Sequence, residues 1–137
     1  MADRDFSGIV RTVGGRVKQV SFLALVQGAA APVLCDSAGT AIVHPLVSPG
    51  SHDSAGKYTF TLKDAYLRCT GAQAHYLAFE ETVDLYAQMG GVFAGNSAAP
   101  ANCSVRLKTA GANTDPSATG GFICVTLTFE DSGAYAL

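Results

Sequence analysis

The stretch Gly56-Lys57-Tyr58-Thr59-Phe60-Thr61-Leu62-Lys63-Asp64-Ala65-Tyr66-Leu67-Arg68-Cys69, continued by Gly71-Ala72-Gln73-Ala74-His75-Tyr76-Leu77-Ala78-Phe79-Glu80, decides the fold class. Tyr58, Phe60 and Leu62 alternate with Lys57, Thr59, Thr61 and Lys63, a period-two pattern with one apolar and one wet face. Its aromatic and β-branched content suits a strand. Asp64 to Cys69 breaks the alternation, and Gly71 opens a second extended run carrying Tyr76, Leu77 and Phe79. Two strands around a short crossing, in the middle of a chain of 137 residues, place this stretch at the centre of an all-β domain.

Outward from that centre, Val17 to Gln27 reads as a strand with Val20, Phe22, Ala24 and Val26 on one face and Leu23 and Leu25 on the other. Apolar residues on both faces imply cover on both sides, by the domain itself and by a second sheet or a second copy. Gly121 to Glu130 repeats the pattern with Phe122, Ile123, Cys124, Val125, Leu127 and Phe129. Cys103, Val105 and Leu107 alternate with Ser104, Arg106 and Lys108, so this strand carries a cationic face.

Pro32 to Asp36 and Thr40 to Val47 read as short strands joined by the turn Asp36-Ser37-Ala38-Gly39. Pro45 and the run Ser48 to Gly56 have loop composition, as do Gly95 to Ala101 and the polar turn Ala110 to Gly121 around Asp115-Pro116. Thr82 to Gly91 fits either a short helix or a bent strand. The total is seven or eight short strands in a jelly-roll-like two-sheet β-sandwich, residues 17–137, preceded by an N-terminal arm, residues 1–16. In the arm, Phe6, Ile9, Val10 and Val13 fit one and a half turns of a helix face. The segment is expected to lie against something else, a neighbouring subunit, or to be a frayed terminus.

Composition limits the functions available. The net charge of -2 gives no electrostatic footprint for nucleic acid. Charged residues make up 15% of the chain, against roughly 25% in ordinary soluble domains, and so dry an exterior suits assembly. The N-terminus has no apolar run behind its charges, and Phe22 to Val26 is too short to span a bilayer, so neither a signal peptide nor a membrane partner is expected. Cys35, Cys69, Cys103 and Cys124 lie about 20 to 35 residues apart. They read as buried thiols of a protein made in a reducing cytoplasm.

No arrangement builds a reaction centre. His44, His52 and His75 lack the His-x-His spacing that converges strand residues on a metal, and read as surface or interface histidines. No Cys or Ser has the signature of a nucleophile oriented by a base. Glu80 and Glu81 point to opposite faces of a strand, so only one of them could face a cleft. Gly14-Gly15 and Gly90-Gly91 lack the Lys-Ser or Lys-Thr of a phosphate loop. The aspartates do not space as a calcium loop. No cofactor, metal or catalytic residue is expected, and the chain reads as a non-enzyme.

Two segments carry a resemblance. Gly56-Lys57-Tyr58-Thr59-Phe60-Thr61-Leu62-Lys63-Asp64-Ala65-Tyr66 with Gly71-Ala72-Gln73 resembles a G-x-Y-x-V/F-x-L-x-D-x-Y…A-Q segment of small structural proteins of tailed bacteriophages. Asn113-Thr114-Asp115-Pro116-Ser117, leading into the run from Phe122 to Phe129, resembles the same group's T-D-P turn and final strand. The group includes capsid decoration, or cement, proteins. The resemblance implies a virion protein binding the major capsid protein on the shell surface as a homo-oligomer, a trimer, with no nucleic-acid or membrane partner. It supplies no functional residues. Contacts are expected at Phe6, Ile9, Val10, Val13 and the loop from Pro45 to Asp53, with Arg106 and Lys108 facing either an acidic partner or solvent. The alternative is a fibre-base or receptor-binding module for a host surface glycan, which exposed loop aromatics would favour.

Overall fold

A computed structural model describes residues 11–13, 17–65, 68–80, 84–93 and 100–130. Ten strands follow in order: Arg11–Val13 (β1), Val17–Val26 (β2), Val33–Cys35 (β3), Ser51–Ser54 (β4), Lys57–Ala65 (β5), Arg68–Ala78 (β6), Tyr86–Phe93 (β7), Pro100–Thr109 (β8), Ala112–Asn113 (β9) and Gly121–Glu130 (β10). Six are long, and β1, β3, β4 and β9, of two to four residues, account for the surplus over the seven or eight expected.

The strands form two five-stranded antiparallel sheets. The first runs β1-β2-β10-β6, with β3 also on β2; the second runs β4-β5-β8-β7, with β9 also on β8. Of the long strands, only β7 and β8 are successive in sequence and paired in one sheet. The chain otherwise crosses from sheet to sheet, β2 to β5, β5 to β6, β6 to β7 and β8 to β10. That winding makes the sandwich jelly-roll-like. β6 and β7 belong to different sheets and run beside each other along one side of the sandwich.

The alternation seen in the sequence decides which side chains meet between the sheets. Val20, Phe22, Ala24 and Val26 of β2 and Ile123, Val125, Leu127 and Phe129 of β10 pack against Tyr58, Phe60 and Leu62 of β5 and Cys103, Val105 and Leu107 of β8. The Phe22 and Phe60 rings meet across the core, centroids 4.9 Å apart. Each large side chain buried here contributes about 1.5–3 kcal/mol.

Gly56 explains why the organising stretch begins with glycine. It takes φ +66 in the turn between β4 and β5, and a Cβ there would lie 2.5 Å from the Leu107 carbonyl oxygen and 2.7 Å from the Thr114 backbone. Its N–H donates to Asp115 Oδ1 and its carbonyl accepts from the Leu107 N–H, both at 2.7 Å.

Three readings of the sequence change. Residues 40–47 form isolated bridges, Cys35 to Ala41 and Val47 to Leu62, instead of a strand. The His44 ring takes the Leu46 N–H on Nδ1, so a side chain replaces the ladder there, while the Leu46 carbonyl accepts from Lys63. The polar segment Ser51–Ser54 is a strand and not a loop, because side chains hold it: Asp53 accepts from Ser51 and Thr59, and His52 bonds Asp115. The undecided region 82–91, of which 82 and 83 lie outside the described residues, overlaps β7, whose ladder shifts register between Met89 and Gly91. The extra residue, Gly90, interrupts the alternation that would have marked a strand.

Candidate functional site

The outer faces of the two sheets differ in chemistry. On the first sheet, register places Cys35, Leu23, Cys124 and His75 abreast across β3, β2, β10 and β6. The next row is Val33, Leu25, Phe122 and Leu77, four apolar side chains on four strands. All project away from the core, since their neighbours Leu34, Ala24, Ile123 and Tyr76 are the ones that pack inward. Phe79 continues the patch and meets Phe122 edge to face at 4.9 Å. Leu77 is 54%, Phe79 48% and Val33 41% exposed. Toward the other end the face turns polar but uncharged, through Ser21, Thr126 and Gln73, before Glu130 closes it.

The turn at Asp36 to Gly39 arches over this face. Asp36 Oδ1 accepts the Ala38 and Thr40 N–H groups at 2.9 Å, an Asx-type closure. Beneath it lies an open groove of about 460 Å³ lined by Ser21, Leu23, Cys35, Ile42, His44 and Cys124. His44 is buried instead of superficial. Nδ1 accepts from Leu46, so Nε2–H donates to the Ser21 carbonyl at 3.1 Å, which makes the ring a clamp between the groove segment and β2.

On the second sheet, Lys57, Thr59, Thr61 and Lys63 of β5 lie beside Asn102, Ser104, Arg106 and Lys108 of β8, with Tyr86 and Gln88 of β7 beyond. Lys57 and Arg106 are cross-strand partners, and Gln88 faces Arg106 from the other side. Like charges placed directly opposite oppose pairing, by up to about 1 kcal/mol. Among the described residues, none of Lys57, Arg106 and Lys108 is in an ion pair. Arg106 Nε is buried without a hydrogen-bond partner. It lies 3.2 Å from where a Cβ on Gly90 would stand, so the bulge glycine leaves room for this side chain.

The ionisable groups inside serve the fold. Burial pushes the Asp115 carboxyl up, and the Gly56 amide and the His52 ring, 2.7 Å away, outweigh it and hold the group below its ordinary 3.8. Burial pushes the Cys103 thiol up to about 12 and raises Cys35, Cys69 and Cys124 as well, away from the nucleophilic thiolate. Among the described residues, no group of three His, Cys, Asp or Glu side chains converges on a metal position.

Of the contact residues expected from sequence, Phe6, Ile9 and Val10 lie outside the described residues. Val13 lies in β1 and pairs with Val17 of β2, so at this residue the arm is a strand and not the helix face expected. Pro45 is exposed in the segment that bridges β5 through Val47, while Arg106 and Lys108 share the cationic face. Lys57, Val33, Leu77 and Phe79 were not singled out by sequence reasoning. Leu77 and Phe79 were legible as a stripe alternating with inward Tyr76; Val33 and Lys57 needed the pairing of strands. Comparison with protein families, curated proteins and solved structures finds no match to this chain.

Proposed function

We propose that the chain is a non-catalytic structural protein of a bacteriophage virion, a decoration or cement protein that binds the outer surface of the major capsid shell as a homotrimer. It would be made in the host cytoplasm and carried on the particle. The observation that carries this reading is the apolar row Val33, Leu25, Phe122 and Leu77, continued by Phe79, on the outer face of the first sheet. A contiguous apolar surface of this kind favours a protein partner.

Covering each half-exposed side chain of the patch is worth about 1 kcal/mol, a few kcal/mol per copy. Association itself costs about 4–15 kcal/mol, so one copy holds poorly. Three linked copies engage three sites at high effective concentration, which turns weak contacts into durable clamping.

The test is co-sedimentation of the purified chain with undecorated shells of the virus that encodes it, with light scattering for its own oligomeric state. Saturable binding, lost in Leu77→Asp and Phe79→Asp variants that keep the native melting temperature, is the expected result. A monomer that leaves shells unbound and binds a host surface glycan instead would replace this reading with the receptor-binding one.

A further inference from the structure

The second sheet's outer face has a separate chemistry that the shell-binding patch leaves unused. We propose that this face, built on Lys57, Arg106 and Lys108 with Gln88 and Tyr86 at its rim, is a docking surface for a carboxylate-rich segment of a partner protein. Four observations converge. Register sets Lys57 directly against Arg106, and Lys108 lies two residues along the same strand on the same face. The three cations are outside any ion pair among the described residues. Arg106 Nε is shielded from water with its hydrogen bond unmade. The Gly90 bulge leaves the space that this side chain occupies.

A pair of like charges held side by side opposes the sheet in the free protein. A carboxylate laid between them reverses the sign of that interaction and offers a bidentate partner to the guanidinium. Tyr86, 48% exposed, adds a flat amphipathic contact beside Lys108.

The occupant is a protein and not a nucleic acid. The patch has three cations with Asp53 nearby, where its charge meets that of Lys57, and the whole chain carries -2. Phosphate backbones are held by longer basic stripes on positively charged domains. The surface lies on the opposite sheet from the apolar patch, so the two contacts are compatible, and this inference does not depend on the shell-binding reading.

The experiment uses the full chain and a fluorescent poly-glutamate peptide of about ten residues, followed by anisotropy at about 50 and about 300 mM NaCl, between which screening of exposed charges rises sharply. Expected is saturable binding that weakens at least about tenfold at the higher salt. Lys57→Gln and Arg106→Gln should each weaken it by about three- to fivefold, while Leu77→Ser, on the outer face of the other sheet, leaves it unchanged. Lys57→Gln should leave the melting midpoint within about 2 °C of native, because it removes a like-charge neighbour in Arg106 and an attractive one in Asp53; the kept midpoint separates lost binding from lost fold. Binding that survives both substitutions overturns the proposal. Tighter binding of a duplex DNA of about 20 base pairs than of the peptide also overturns it, in favour of a nucleic-acid surface.

Discussion

Gly56 and Asp115 join two parts of the chain through a hydrogen bond 59 residues apart in sequence. Gly56→Ala puts a methyl group against two backbones and a side chain in a left-handed conformation, which costs about 2–3 kcal/mol; urea unfolding should register it as a lower midpoint at unchanged slope. Asp115 has a depressed carboxyl, so its contribution to stability is complete above its ordinary value of 3.8 and disappears as pH falls below it. Asp53, lowered first by its bond from Thr59, acts in the same direction. Denaturation midpoints should therefore hold down to about pH 5 and drop as pH falls below about 4, less steeply in Asp115→Asn. Tyr58 is the reverse case. Its hydroxyl is buried without a partner, and burial with the nearby Asp115 charge raises it above the phenol range. Tyr58→Phe removes that unmet group and should be neutral or stabilising by up to about 1 kcal/mol, read from the same unfolding curves.

Strands declared themselves in the sequence where alternation was uninterrupted and burial one-sided. β10 alternates buried and half-buried residues from Gly121 to Glu130 without a break. Leu127→Ala should cost about 3 kcal/mol and the adjacent Thr128→Ala less than about 0.5 kcal/mol, so paired melts test whether the period is right. β7 was ambiguous because Gly90 shifts the phase of its alternation, a signal that only the β8 register explains. β4 looked like a loop because its cohesion lies in side-chain bonds that a polar composition does not reveal: His52 to Asp115, 63 residues away, and Asp53 accepting from Ser51 and Thr59. The same limit applied to the candidate surfaces. Arg106 and Lys108 were legible as one face of a strand, but Lys57 beside Arg106 depends on which strand pairs with which. His44 read as a surface group because nothing local shows that Leu46 and Ser21 enclose it.

At the scale of the molecule, a largely apolar face and a cationic face back onto a single core, and the chain presents two chemically distinct sides. The strand order adds a constraint of its own. β10, the last strand described, sits between β2 and β6 in the middle of its sheet. A polypeptide emerging from the ribosome therefore holds β2 and β6 apart, with their inner ladders vacant, until residues beyond Gly121 have cleared the exit tunnel. Vectorial synthesis gives no stable half-sandwich, and chains arrested before Gly121 should remain protease-sensitive in a pulse of trypsin while longer ones become resistant. The nascent form would carry its greasy ribbons uncovered until β10 emerges to pair with both, which makes it a natural client for a holdase chaperone.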